Sequence, residues 1–184
     1  AHFGAGAKAV IGQDTRESGE SVKAALMRGL AMQGVDGVSL GVVPTPATAA
    51  AVPAQDAAFG LMITASHNPW YDNGVKLFGP DGRKISDAAQ DAIETLIEQA
   101  MSTGIDPVQT SGRDLGNANG SDAYVDSLIR AFRATGVESL EGLSIVVDAA
   151  HGAAYKVFPD ALRALGADPV VIGAEPDGRN INKE

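Results

Sequence analysis

The sequence predicts an α/β fold that starts a second time near residue 142. Short apolar runs bounded by turn residues alternate with longer segments of helical periodicity. Hydrophobic residues make up 45% of the 184 residues and aromatics only 5%, with alanine and glycine dominant, a composition suited to helices packed closely on a sheet. After a polar connector the strand–helix–strand pattern restarts, which marks the beginning of a second, similar α/β unit.

The elements follow in order. Residues 8–12 (Lys-Ala-Val-Ile-Gly) read as a short buried strand. Residues 13–19 are polar and end in Ser-Gly, a turn and helix-start signal. Over 21–33, Val22, Ala25, Leu26 and Leu30 share one helical face, and Gly34 stands where helix ends favour glycine. Residues 37–43 predict a second strand. Pro44 and Pro46 stop it and open a helix over 47–52. The third strand covers 57–64, a loop covers 66–73, and a fourth strand covers 74–78 before the turn Gly79-Pro80-Asp81-Gly82. Ser86 or Asp87 caps a helix with the apolar set Ala89, Ile93, Leu96, Ile97 and Ala100, while Asp87, Asp91, Glu94 and Glu98 face water. Residues 104–120, rich in Gly, Asn and Asp, read as a connector. A helix over 121–134 turns Tyr124, Leu128, Ile129 and Phe132 inward. The second unit holds a strand at 143–147, a helix over 154–165 disturbed at Pro159, and a strand at 169–172. The division falls into 1–138 and 139–184. So short a second unit is too small to bury its own core, and the polar residues 177–184 close nothing, so the chain reads as cut.

Composition removes several function classes. The chain has no cysteine, hence no disulfide framework, no thiolate nucleophile and no cysteine metal site. Its net charge is −9 and no basic stripe carries interleaved aromatics, so nucleic acid is not an expected partner. No apolar run approaches the ~18 to 20 residues of a membrane span, and the first ten residues lack a signal-peptide pattern. The expectation is a cytoplasmic protein without a membrane partner. A phosphate site on so acidic a chain has to be built locally, from backbone N–H groups and a few cations.

The most informative stretch is Thr64-Ala65-Ser66-His67-Asn68-Pro69, followed by Tyr71-Asp72-Asn73-Gly74-Val75-Lys76. It leaves the third strand, where open α/β sheets place chemistry. Ser66 is either a turn former or a covalent phosphate or acyl carrier, with outward N–H groups around 66–68 as an anion cradle. A serine hydrolase fits poorly. Neighbouring Ser66 and His67 side chains diverge on an extended loop, no G-x-S-x-G elbow is present, and His2 and His151 remain only as distant bases. Lys76 is either an outward, solvated strand residue or a group that neutralises phosphate charge. Asp14-Thr15-Arg16-Glu17-Ser18-Gly19 is either a capping turn with salt bridges or a loop offering Arg16 to a phosphate. His151, in Asp148-Ala149-Ala150-His151-Gly152-Ala153, reads as a turn residue. No His/carboxylate set has metal-site spacing, and no glycine-rich phosphate loop follows a strand.

These segments together resemble the α-D-phosphohexomutase family. Residues 64–69 are similar to its phosphoserine loop, and the run through Phe78 and Gly79-Pro80-Asp81-Gly82 resembles the phosphoglucosamine mutase branch. Gly12 through Gly19, Val43-Pro44-Thr45-Pro46, Val146-Val147-Asp148-Ala149 and Pro176-Asp177-Gly178-Arg179-Asn180-Ile181-Asn182 agree in order, so the resemblance covers nearly the whole chain. It implies a mixed sheet flanked by helices, the family's first domain, lacking its first strand, followed by the start of the second of four domains.

The resemblance also implies a mechanism. Ser66 would carry a phosphoryl group, pass it to a hexose phosphate and take the other phosphate back after the bisphosphate reorients. Glucosamine 6-phosphate and glucosamine 1-phosphate would interconvert on the route to UDP-N-acetylglucosamine. The alternatives are a phosphomannomutase/phosphoglucomutase or a non-catalytic phosphosugar-binding fragment. His67 and Lys76 become candidate acid/base or phosphate-contacting residues, and Arg16 and Asn68 candidate phosphate contacts. Mg²⁺ would bind through the phosphate on Ser66, with a hexose 1,6-bisphosphate as activator and a phosphosugar as the small-molecule partner. A homodimer is compatible with the family. The family's Asp-Gly-Asp-x-Asp-Arg metal loop, its sugar-recognition loop and its C-terminal phosphate loop have no counterpart here, and His151 replaces a usual asparagine. The 184 residues alone are therefore expected to bind Mg²⁺ poorly and not to turn over substrate.

Overall fold

A computed structural model describes residues 6–104 and 111–183. Its elements are β1 (Lys8–Gln13), α1 (Gly19–Met32), β2 (Asp36–Val42), α2 (Thr45–Ala54), β3 (Phe59–Ile63), β4 (Val75–Phe78), α3 (Asp87–Thr103), β5 (Asp114–Asn117), α4 (Gly120–Arg133), β6 (Val146–Asp148), α5 (Val157–Ala164) and β7 (Val170–Ile172). Five strands form one sheet in the order β4-β3-β1-β2-β5, and β6 and β7 form another. β1 runs parallel to β2 and β3, β2 parallel to β5, and β4 antiparallel to β3. The sheet is mixed, as expected.

The central strands read as unbroken apolar runs because both faces are covered. Val10, Leu40 and Met62 lie on the face packed by Ala47 and Val52 of α2, with Tyr124 of α4 beside them. Ile11, Leu61 and Ile63 lie on the other face, under Val22, Leu26, Met27 and Leu30 of α1. Each such side chain contributes about 1.5–3 kcal/mol relative to leaving it in water. Gly12 lets α2 approach closely: a Cβ there would meet Thr48 Oγ1 at 2.1 Å and Val43 Cγ2 at 2.8 Å.

Several expectations change. The connector contains a strand, β5, whose residues are all exposed. It pairs through its backbone, and Asp36 receives the Arg113 amide at 2.7 Å and its Nη2 at 2.6 Å. A polar edge strand of this kind leaves no hydrophobic pattern to read. Residues 105–110 of that connector lie outside the described residues. Helix α1 begins at Gly19, and Ala25 is exposed while Met27 takes its place against the sheet. On α3 the acidic face is exposed as expected, but the apolar stripe is not sealed, with Leu96 59% and Ile97 54% exposed. The helix expected over 154–165 shortens to α5, so Pro159 falls in its first turn, where no intrahelical N–H is needed.

The two-stranded sheet has a small core of Val147, Leu162 and Ala167. It leans on the larger part through packing of α5 on α4. Among the described residues, no helix is long and apolar enough to cross a membrane.

Chain order creates a crevice. From β1 the chain passes through α1 to β2 on one side, then through α2 to β3 on the other side of β1. The loops after β1 and β3 therefore meet at the carboxyl ends of neighbouring parallel strands, where open α/β sheets bind ligands.

Candidate active site

Asp14 and Arg16 form the floor of that crevice, with side chains 3% and 0% exposed. Asp14 accepts the Arg16 amide at 3.0 Å through Oδ1, and Arg16 Nε at 2.9 Å and Thr64 Oγ1 at 2.7 Å through Oδ2. Thr64 Oγ1 in turn accepts the Ser66 amide at 3.0 Å. The remaining Arg16 donors go to the serine loop. Nη1 donates to the Pro69 carbonyl and, at 3.1 Å, to that of Asp72, while Nη2 donates to the carbonyls of Ser66 at 3.0 Å and Asn68 at 2.9 Å. A guanidinium has five N–H groups, and all of them are engaged. The phosphate contact expected for Arg16 is therefore not available in this arrangement. In this structure Arg16 organises the serine loop and forms the salt-bridged turn with Asp14. The motif's spacing could not show this, because the acceptors are backbone carbonyls about fifty residues away.

The held loop presents Ser66 outward. Ser66 is exposed and adopts a left-handed backbone, φ 55°, a conformation uncommon for residues other than glycine and found where surrounding structure imposes it. Lys76 comes from β4, whose antiparallel register sets it opposite Met62, just before the strand meets the loop. Its Nζ donates to Ser66 Oγ at 2.7 Å. The strand lysine thus meets the serine hydroxyl in an exposed contact. Asn68 donates its amide N–H to Ala65 O at 3.1 Å and its side-chain Nδ2 to Asp72 Oδ2 at 3.2 Å. Asn73 ties the far end of the loop to the start of α1 through Ser18 Oγ at 2.8 Å. His67 is exposed, and among the described residues no protein group hydrogen-bonds its ring. Among the described residues no hydrogen bond joins the Ser66 and His67 side chains.

The second sheet closes one side. Thr15 Oγ1 donates to the His151 carbonyl at 2.6 Å, and the Glu17 amide to Gly178 O at 2.9 Å. His151 is a left-handed turn residue, φ 52°, whose Nδ1 accepts the Glu175 amide at 3.2 Å. Arg179 donates to Glu17 through Nε and Nη2, both at 2.8 Å, and its guanidinium lies 5.2 Å from the Trp70 ring centre. The hydrogen bonds from Arg179, joined by its charge, hold the Glu17 carboxyl below the usual range. Sequence reading placed Arg179 in a family motif without a role and did not single out Trp70. A cleft of about 400 Å³ opens between His67, Asn68, Trp70, Arg179, Asn182 and Lys183. A larger cavity of about 800 Å³ lies between α3, β4 and α1, but Leu26, Leu61, Leu77, Ile93 and Ile97 make it chiefly apolar.

No cluster of three or more His, Cys, Asp or Glu side chains suited to a metal occurs among the described residues. The buried carboxylate nearest in sequence to the loop's anchor, Asp14, is saturated by Arg16 and Thr64. An exposed hydroxyl, a cation on its oxygen and a rigid loop form an arrangement able to accept and release a phosphoryl group.

Known proteins resemble this chain over most of its length. The family model described as phosphoglucomutase/phosphomannomutase, alpha/beta/alpha domain I, matches residues 1–104. A phosphoglucosamine mutase of Afipia carboxidovorans is 49% identical over 179 residues, covering 96% of this chain and 39% of the relative. One from Mycobacterium marinum is 47% identical over 176 residues, covering 96% and 38%. The chain thus spans less than two fifths of the length of these relatives. A crystal structure of a phosphoglucomutase/phosphomannomutase family protein from Burkholderia thailandensis superposes with a TM-score of 0.77 at 28% identity, over 95% of this chain and 37% of that one.

Proposed function

The chain belongs to the phosphoglucomutase/phosphomannomutase family, and from that premise we propose that it is the phosphoserine-bearing part of a phosphoglucosamine mutase. The observation that carries the reading is the Lys76 Nζ to Ser66 Oγ contact of 2.7 Å on a loop held by Arg16. Glucosamine phosphates are favoured over mannose or glucose phosphates because relatives at 47–49% identity are phosphoglucosamine mutases. The enzyme is an isomerase of the phosphotransferase type, serving UDP-N-acetylglucosamine synthesis in the cytoplasm. Residues 1–138 are its first domain and 139–184 the start of its second.

The residues divide the work as follows. Phosphoserine 66 gives its phosphoryl group to a sugar hydroxyl: the P–Oγ bond breaks and a P–O bond to the sugar forms. Negative charge grows on the departing Oγ in the loose transition state, and the Lys76 ammonium stabilises it without having to move. His67, exposed at the cleft mouth, receives the proton of the attacking hydroxyl. Asn68 orients the ligand from the same loop. After reorientation, the hexose bisphosphate returns its other phosphoryl group to Ser66 Oγ. A hexose 1,6-bisphosphate added from outside charges the serine in the same way. Asp14, buried below the loop, accepts hydrogen bonds from Arg16 and Thr64 and is not a candidate ligand for the family's Mg²⁺. This chain's contribution to such a site is the phosphate oxygens on Ser66.

Incubation of the enzyme at its relatives' full length with a hexose 1,6-bisphosphate, followed by intact-mass analysis, tests the assignment. The wild type gains one phosphoryl group and Ser66→Ala gains none; undiminished incorporation in Ser66→Ala overturns it. Lys76→Met slows incorporation about a hundredfold, the scale of losing one preorganised donor, and leaves the denaturation midpoint unchanged. In the enzyme at its relatives' full length, a preference for mannose or glucose 1-phosphate over glucosamine 1-phosphate supports the phosphomannomutase/phosphoglucomutase alternative.

A further inference from the structure

We infer that Arg179 is a positioning residue that fixes the two-stranded sheet against the Ser66 loop, by clamping Glu17 and Trp70 together. Three separate chain segments meet at its guanidinium. Two parallel N–H···O bonds of 2.8 Å fix it on Glu17, next to the loop organiser Arg16. Its face covers Trp70, which lies on the serine loop itself. Its own segment is held by Gly178 O on the Glu17 amide and by buried Ile181, and Asn182 Nδ2 reaches the Ser66 carbonyl at 3.5 Å.

Thr15 Oγ1 adds one hydrogen bond to the His151 carbonyl on this side, and a second region of attachment lies elsewhere. There α5 packs on α4, and Lys156 pairs with Asp122 at 3.6 Å. Two attachment points define an orientation, and one defines a hinge. Loss of the Arg179 clamp leaves single hydrogen bonds, Thr15 Oγ1 to His151 O and the Glu17 amide to Gly178 O, on the loop side, and loosens a hinge-type motion about α4 and α5. Exposed ion pairs contribute little singly. This one is bidentate and shares its cation with an aromatic face, so it resists rotation as well as separation. Its consequence is the width of the cleft formed by His67, Trp70, Arg179 and Asn182. This role for Arg179 does not rest on the phosphoserine assignment.

The absence of cysteine allows two thiols to be introduced for spin labels without background. Ala24→Cys on α1 and Asp168→Cys before β7 are exposed positions on the two parts. Pulsed electron-spin distance measurement on this pair should give a narrow distribution. Arg179→Leu and Glu17→Gln should each broaden it about twofold by freeing the hinge, and Arg179→Lys, which keeps charge without the planar fork, should fall between. Trp70 is the one tryptophan in the chain, and its acrylamide quenching should rise in Arg179→Leu. Circular dichroism of Glu17→Gln, an exposed substitution, checks that folding is intact. Unchanged distance distributions in both Arg179→Leu and Glu17→Gln overturn the inference, and Ser66→Ala, which tests the phosphoserine assignment, should leave the distribution as it is.

Discussion

The two sheets both offer parallel strand ends to Ser66, yet they are stabilised in opposite ways. The central strands of the five-stranded sheet are sealed on both faces, with Val10 and Ile63 0% exposed. The two-stranded sheet covers one face and leaves Val146 70% and Val170 61% exposed. Loops on the first are therefore fixed from within, by core packing and by the buried Asp14–Arg16 pair. The second is fixed from without, by α4 and by the Glu17–Arg179 contact. A group that must hold atoms for chemistry sits on the first kind of scaffold; a part that must meet a ligand and let it leave suits the second.

Arg16→Met is the strongest way to break this comparison. It strands buried Asp14 and the loop carbonyls, and should cost about 3–5 kcal/mol in a urea denaturation measurement. A loss near zero would mean that the loop is held by something other than Arg16. Next in size is a pair of truncations. Ile63→Ala should cost about 2–5 kcal/mol, whereas Ile172→Ala, at a half-exposed position, should stay within about 0.5 kcal/mol. Equal losses would show that the second sheet has a core of comparable weight.

Acid should sharpen the contrast with a smaller effect. Arg113, by side-chain and then backbone hydrogen bonds, holds the Asp36 carboxyl below its usual value, as Arg179 does that of Glu17. Both folded pKa values lie below the unfolded ones, so each pair stabilises above the ordinary carboxylate range, about pH 4. That contribution fades as pH falls through the folded values. Hydrogen exchange at β5 and Trp70 emission should therefore change below about pH 4 before the Ile63 amide loses protection. Simultaneous loss everywhere would make acid unfolding global.

Much of the fold was legible because burial leaves a pattern. Strands β1 to β4 and helices α1 to α4 follow apolar runs and periodicity, and the serine loop stood out through its turn residues. Strand β5 was hidden because backbone pairing at an edge needs no apolar side chain. The open stripe of α3 was hidden because periodicity states which face is apolar, not whether anything covers it. Within the site, Ser66 and Lys76 came from local sequence and its resemblance to a family.

The sequence by itself determined the α/β class, the loop that presents Ser66 and the family to which these residues belong. Tertiary structure decided what the charged residues do. Arg16 organises the serine loop because the carbonyls of that distant segment converge on its donors. Lys76 meets Ser66 because the β3–β4 register places it there. Arg179 acquired a role because Glu17 and Trp70 meet only when the two sheets are docked. Hydrogen bonds between segments far apart in the chain depend on where the backbone brings their partners, and residue identity alone does not encode that position.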